Sequence, residues 1–253
     1  MDKVGCSMIK ISKRLTTIAE HIESGSRVAD IGSDHALLPV YLVQSGIAVK
    51  VVAGEVNAGP LRAAKRQVES AGLASCIDVR SGNGLQVIAP YEADTVTIAG
   101  MGGSLIRDIL EAGREQLSGV KRLVLQPNVG EDSVRYWLAD NGWFLSAERI
   151  VEEDGLTYEI LIADRVDNAE EKNRVLYEQR TIAGRSLSTA VLFRLGPYLI
   201  QESSDIYLAK WRSELAKRKS IVKQIAQASS PEAQARMQKL QQEINELEEA
   251  LSC

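Results

Sequence analysis

An acid and a glycine stand together where an apolar run ends, in Val28-Ala29-Asp30-Ile31-Gly32-Ser33-Asp34-His35-Ala36. Glycine at such a point lets the backbone turn tightly and lets a ligand lie against it, and a helix opening next offers unpaired N–H groups. The dinucleotide fingerprint G-x-G-x-x-G is not met, because Asp34 occupies its second glycine position. An aspartate beside a pyrophosphate adds like-charge repulsion, so the turn favours a ligand bearing positive charge or hydroxyls over one bearing phosphates. Glu55 ends a second apolar run, where a carboxylate is placed to accept from both hydroxyls of a ribose. A third run leads into Gly82-Asn83-Gly84, whose amide both donates and accepts and so suits the edge of an adenine. Each segment alone is also ordinary turn chemistry. The three in this order describe a nucleoside pocket.

Such a pocket needs neighbouring strands to present their ends together. Residues 27–31, 49–55, 76–80, 94–99 and 122–126 are short, apolar and mostly β-branched, and helical patterns lie between them near 35–46, 58–71, 103–116 and 131–141. That alternation predicts βαβ units and a doubly wound, Rossmann-like parallel sheet. Residues 143–151 and 156–163, joined through Asp154-Gly155, then predict a C-terminal antiparallel hairpin. After about residue 168 the strand signals stop. Leu208, Trp211, Leu215, Val222 and Ile225 fall on a spacing of three and four broken only by Arg218, and Met237, Leu240, Ile244, Leu247 and Leu251 keep it without interruption. Two such seams predict an antiparallel helical hairpin of coiled-coil type, its turn at 226–231 with Ser230 as cap and Pro231 opening the second helix. The expected division is an α/β domain over 1–166 and a helical domain over 167–253.

With 253 residues, 45% hydrophobic and 25% charged, the chain is an ordinary globular protein, and disorder, collagen and disulfide scaffolds are poor fits. Cys6, Cys76 and Cys253 show no metal-binding spacing, and His21 and His35 are the two histidines, so no metal is expected. No signal peptide or membrane span is legible, and a cytoplasmic location is expected. The formal charge of −4 advertises no nucleic-acid partner.

The motifs nevertheless resemble those of class I S-adenosylmethionine-dependent methyltransferases. The stretches ISKRLTTIA at 11–19, VADIGSDHALLP at 28–39, IAGMGG at 98–103 and LQPNVG at 125–130 resemble more closely the bacterial TrmK family, tRNA methyltransferases acting on N1 of adenine 22. The resemblance implies S-adenosyl-L-methionine as cofactor, held by Asp30, Gly32, Ser33, Asp34 and His35 in the first turn, Glu55 at the ribose and Asn83 and Gly84 around the adenine. Where the family often carries an aspartate after the third strand, this chain has Asn83, whose amide oxygen still accepts from an amino group. Residues 99–103, with Gly100 and Met101, should form the loop where methyl donor and acceptor meet. Asp34 is the first candidate for a catalytic group, and Gln126 and Asn128 are candidates for reading the target adenine.

A tRNA partner needs local positive charge. Lys10, Lys13 and Arg14 cluster before the first turn, and Lys210, Arg212, Lys217, Arg218, Lys219 and Lys223 crowd the first C-terminal seam. The candidate RNA contacts are Lys10, Lys13, Arg14, Arg212 and Lys217, although the seam's bases can equally pair with Glu243, Glu246, Glu248 and Glu249. A monomer or weak dimer is expected. Two rival functions stay open: a cofactor-fold RNA-binding module without activity, and a small-molecule methyltransferase. A nicotinamide oxidoreductase is disfavoured by Asp34.

Overall fold

A computed structural model describes residues 8–182, 184–226 and 230–251. Cys6, Cys253 and positions 227–229 of the expected turn lie outside the described residues. In chain order the elements are α1 (Lys13–Glu20), β1 (Ser26–Ile31), α2 (Leu37–Gln44), β2 (Ala48–Glu55), α3 (Ala58–Ser70), β3 (Ile77–Ser81), β4 (Thr95–Gly102), α4 (Gly103–Ala112), β5 (Arg122–Val129), α5 (Glu131–Asp140), β6 (Phe144–Glu153) and β7 (Leu156–Asp164). They are followed by α6 (Ala169–Leu176), β8 (Arg180–Ile182), β9 (Arg185–Leu187), α7 (Thr189–Leu195), α8 (Pro197–Glu202), α9 (Asp205–Ile225) and α10 (Pro231–Leu251). Contacts divide the chain into one unit ending at Asn173 and a second beginning at Arg174. Asn173 is buried, donating to Trp143 O and accepting from Leu145 N, which ties the start of α6 to the sheet.

The first unit holds a seven-stranded sheet in the order β3-β2-β1-β4-β5-β7-β6. β1 to β5 run parallel, and β7 lies antiparallel between β5 and β6. The order reverses at β1, which pairs with both β2 and β4. Crevices at such a switch point, outside the carboxyl ends of the strands, are where open α/β sheets bind ligands. α1 closes one face, and its Ile18 and Ala19 join Val28, Val40, Leu42, Val51, Val124 and Ile160 in a shared core. Its first turn is capped by the Ser12 hydroxyl, which accepts from Leu15 N.

Two elements depart from the expected ends. β4 continues through Gly102 instead of stopping at Ala99, so most of the expected loop is strand, with register shifts between Ala99 and Gly102 and Gly100 at φ +79. It is a β-bulge, which re-aims a strand end without ending its pairing. The helix expected from residue 35 begins at Leu37, because His35 (φ +59) and Ala36 (φ +53) are both left-handed.

The second unit contains more than the two expected seams. The β8–β9 hairpin and the helices α7 and α8 precede them, and three-residue strands are too short to show a period. α9 and α10 pack on each other within the chain. Ile244, Leu247 and Ala250 of α10 and Tyr207 and Trp211 of α9 are buried. The alternative of pairing with the last helix holds for Lys219, which Glu248 takes at 2.5 Å, whereas Lys217 and Arg218 pair within α9 with Glu214, both at 2.8 Å.

One ion cluster lies wholly inside the first unit. Arg135 of α5 bonds Glu148 of β6 and Glu159 of β7, each at 2.6 Å, and none of the three side chains is more than 1% exposed. Removing one partner of a buried pair leaves uncompensated charge, whereas replacing the whole set by apolar groups does not. Arg135→Met is therefore expected to cost about 3–5 kcal/mol, read as a fall in the urea midpoint, and Arg135→Met combined with Glu148→Leu and Glu159→Leu should recover most of it. A single variant that unfolds at the wild-type midpoint contradicts this account.

Candidate functional site

The carboxyl ends of β1, β2, β4 and β5 bring the expected residues to one edge. Asp30, near the end of β1, is 6% exposed and accepts from Thr97 Oγ1 of β4 at 2.6 Å. Burial pushes its carboxyl up, opposed by the nearby Ser33 hydroxyl, by the hydrogen bond from Thr97 and by the charge of Arg14. Gly32 follows at φ +74, a conformation that favours glycine. A Cβ there would collide with the methyl group of Met101. Met101 thus lies directly over the first turn, and the two segments singled out separately in the sequence are one structure.

Glu55 closes β2 and is 6% exposed. Its Oε1 accepts from Asn57 N at 2.7 Å, while Oε2 takes no hydrogen bond from the described residues. Asn83 is exposed and Gly84 is left-handed at φ +56. Both line a cleft of about 130 Å³ with Leu105, Asp108 and Ile109 of α4.

Asp34 stands apart from this buried set. Its side chain is 74% exposed, and Oδ1 lies 2.6 Å from Nδ1 of His35, itself 55% exposed. Ser33 is buried. His35 and Ala36, successive non-glycine residues at positive φ, hold the turn in a sparsely populated conformation, of the kind retained where surrounding structure over-determines it.

The two amides of β5 separate. Asn128 is exposed, but Gln126 is 0% exposed and cannot read an adenine edge from there. Gln126 Oε1 accepts from Gly100 N at 3.1 Å and from Arg14 Nη1 at 2.6 Å. Its Nε2 donates to Asn128 Oδ1 at 3.0 Å and Pro127 O at 2.9 Å, and Asn128 Nδ2 donates to Gly100 O at 2.9 Å. The polar bridge spans the bulge and explains why β4 stays paired through Gly102.

Arg14 is thereby separated from the other basic residues of the N-terminal cluster. Its guanidinium also lies 5.2 Å from the centroid of the Tyr158 ring, within cation–π range. Lys10 and Lys13 are exposed. The backbone amides of Lys13 and Arg14 both donate to the Glu153 carboxylate, at 2.5 and 3.3 Å. Desolvation raises the Glu153 carboxyl, but those amides, Ser12 and the Arg14 charge outweigh it and hold the group below the usual range. In the second unit Arg212 is exposed, and Lys217 is engaged by Glu214.

Thr97, Tyr158 and Glu153 were not legible as site residues. Thr97, one of two threonines in a largely apolar strand, carried a weak signal. Among the described residues no group of three or more His, Cys, Asp or Glu side chains is disposed to hold a metal, and no helix is long and apolar enough to cross a membrane.

Comparison with known proteins agrees with this geometry. A family profile described as "TrmK: tRNA (adenine(22)-N(1))-methyltransferase" matches residues 28–249. The tRNA (adenine(22)-N(1))-methyltransferase of Bacillus subtilis is 47% identical over 224 residues, 88% of this chain and 89% of that protein. The crystal structure of the B. subtilis m1A22 tRNA methyltransferase TrmK superposes with a TM-score of 0.86 at 43% identity, covering 96% of this chain and 99% of the other. A Streptococcus pneumoniae protein solved in complex with S-adenosyl-L-methionine superposes with a TM-score of 0.79 at 37% identity, over 96% of this chain and all of that one. A sheet of this order, a bulged glycine strand beside a glycine turn, and a family match over most of the chain lead to one conclusion: the chain belongs to the TrmK family of tRNA (adenine(22)-N(1))-methyltransferases.

Proposed function

We propose that the protein transfers the methyl group of S-adenosyl-L-methionine to N1 of an adenine in tRNA, at position 22. The observation that carries this reading is the gathering of Gly32, Glu55, Asn83 and the bulged Gly100 strand at one edge of a sheet belonging to the TrmK family. The residues fit the cofactor. Glu55 is buried, with one oxygen bonded to Asn57 N and the other left to accept from ribose hydroxyls. Asn83 and Gly84 border a cleft beside α4 that suits an adenine. Gly32 and Met101, with Asp30, Ser33, Asp34 and His35 around them, would hold the amino-acid end.

When bound, S-adenosylmethionine supplies a methyl group made electrophilic by its sulfonium. N1 of adenine is already nucleophilic through its in-ring lone pair, so the protein's task is alignment more than activation. Methylation leaves the base cationic until a proton departs from the exocyclic nitrogen, and an acceptor at that edge stabilises the developing charge. Asn128, exposed beside the bulge, would meet the base, and Asp34 would offer the carboxylate. Equal attraction of Asp34 for the cationic ground state and the transition state would contribute binding and no rate, so turnover at saturating cofactor is the decisive measurement.

We assign cofactor binding and chemistry to residues 1–166, and grip on the body of the tRNA to the helical region 167–253, through Arg212 and any other base left unpaired. Lys10 and Lys13 would meet the RNA near the pocket. Folded RNA is read through its backbone and splayed bases, and an adenine engaged at N1 must turn out before it can react. A cytoplasmic enzyme, monomeric or weakly dimeric, accords with that substrate.

Incubation with the cofactor and unmodified tRNA, followed by mapping of reverse-transcription stops, should give a single new stop at adenine 22, since N1 methylation blocks Watson–Crick pairing. No methyl incorporation, or incorporation elsewhere, rejects the reading. Asp34→Ala should fold normally and lose turnover about tenfold or more at saturating cofactor, with His35→Asn as a control for crowding; near wild-type turnover removes Asp34 from the chemistry. Lys10→Ala with Lys13→Ala should weaken tRNA binding and reduce the salt slope by about one per lysine. Unchanged binding at low salt would exclude that patch.

A further inference from the structure

Arg14 and Gln126 are 112 residues apart in sequence, yet a 2.6 Å hydrogen bond joins them. We propose that Arg14 is a positioning residue for methyl transfer, acting through the buried Gln126 amide on Gly100 and Asn128; the proposal rests on the function given above.

The chemistry of the donors dictates the arrangement. Arg14 Nη1 and Gly100 N can only donate, and both face the same atom of Gln126. That atom must be the amide oxygen, because a flipped amide would set its NH₂ group against two donors. With the oxygen fixed, Nε2 faces Asn128 and needs an acceptor, so Asn128 must present Oδ1 to it. Asn128 Nδ2 then faces Gly100 O. One donor hydrogen and one lone pair of Asn128 remain for a base at the exposed side of the bulge. The Gly100 amide and carbonyl and the Pro127 carbonyl demand the same orientation. The Arg14 guanidinium adds a charged donor that holds the Gln126 oxygen in place, and with it the exposed amide and the left-handed Gly100.

Arg14 is itself held from several sides. Its amide and that of Lys13 are bound by Glu153 at the end of β6, and its guanidinium stacks near Tyr158 of β7. A Cβ added at Gly100 would lie 3.7 Å from Arg14 Nη1, an ordinary contact, so guanidinium and bulge are packed together. An arginine whose task was to bind phosphate would gain nothing from a bond to a wholly buried amide.

The test compares Arg14→Ala, Arg14→Lys, Gln126→Ala and the double variant Arg14→Ala/Gln126→Ala, with folding followed by thermal melting. Two measurements are made: hydrogen exchange at the Gly100 amide in the protein without ligands, and kcat and KM for tRNA at saturating cofactor. Loss of a hydrogen bond to a charged group predicts exchange at Gly100 faster by about tenfold or more in Arg14→Ala. The same variant should lower kcat by about ten- to a hundredfold, with KM for tRNA within about twofold of wild type. The double variant should be no worse than Gln126→Ala, as expected for residues acting as one unit. Arg14→Lys, which keeps a charged donor, should restore part of both effects. Unchanged exchange at Gly100 in Arg14→Ala overturns the proposal, as does a rise in KM for tRNA at constant kcat, which would make Arg14 an RNA clamp. Additive losses in the double variant overturn it too. Should the wild type fail to methylate tRNA, the functional reading falls while the Gly100 exchange still decides whether Arg14 acts through Gln126.

Discussion

β1 to β5 pair in parallel, so their carboxyl ends must lie along one edge of the sheet. Gly32, Glu55, Gly82 to Gly84, Gly100 to Gly103 and Gln126 to Asn128 all fall at or just past those ends. Because the strand order reverses at β1, the ends of β1 and β4 border the crevice where the order changes direction. No other constraint in the molecule places so many site residues at once. The antiparallel β6–β7 hairpin adds to it: the end of β6 supplies Glu153 and β7 supplies Tyr158, the two groups that hold the start of α1 against the same edge.

The polar groups buried beneath this edge give the site rigidity. Asp30 is bonded by Thr97, and Gln126 is bonded on both its oxygen and its nitrogen. Satisfied networks in a low-dielectric setting specify one arrangement, because each alternative strands a donor or acceptor. The left-handed Gly100 is bonded to that network through Gln126, and the strained His35–Ala36 pair follows Gly32 just past the end of β1. A formal charge of −4 is compatible with an RNA substrate because charge is distributed unevenly. Several bases of α9 are paired with Glu214 and Glu248, whereas Lys10 and Lys13 are exposed.

Much of the fold was legible, since strand-and-helix alternation and seams of three and four are local patterns. The turns at the strand ends were legible for the same reason: an acid and a glycine at the end of an apolar run constrain the chain wherever they stand. The roles of Arg14 and Gln126 were not. In sequence Arg14 is one of three clustered bases and Gln126 an amide near a strand end, and their distinction arises from a contact across 112 positions. The continuation of β4 through Gly102 was hidden too, because glycines read as loop unless something spans the bulge, and that something is Gln126. The ion cluster of Arg135, Glu148 and Glu159 escaped notice because α5, β6 and β7 each look like ordinary amphipathic elements until they pack.

By itself, then, the sequence determined most of the strands and helices, where the glycine-bearing turns at the strand ends lie and which family's motifs they carry, all of them matters of local pattern. The tertiary structure alone decided which polar side chains are buried, which way their amides face and which basic residues stay exposed. Those properties follow from long-range packing, where the cost of an unpaired buried donor or acceptor selects one arrangement from many that local pattern allows.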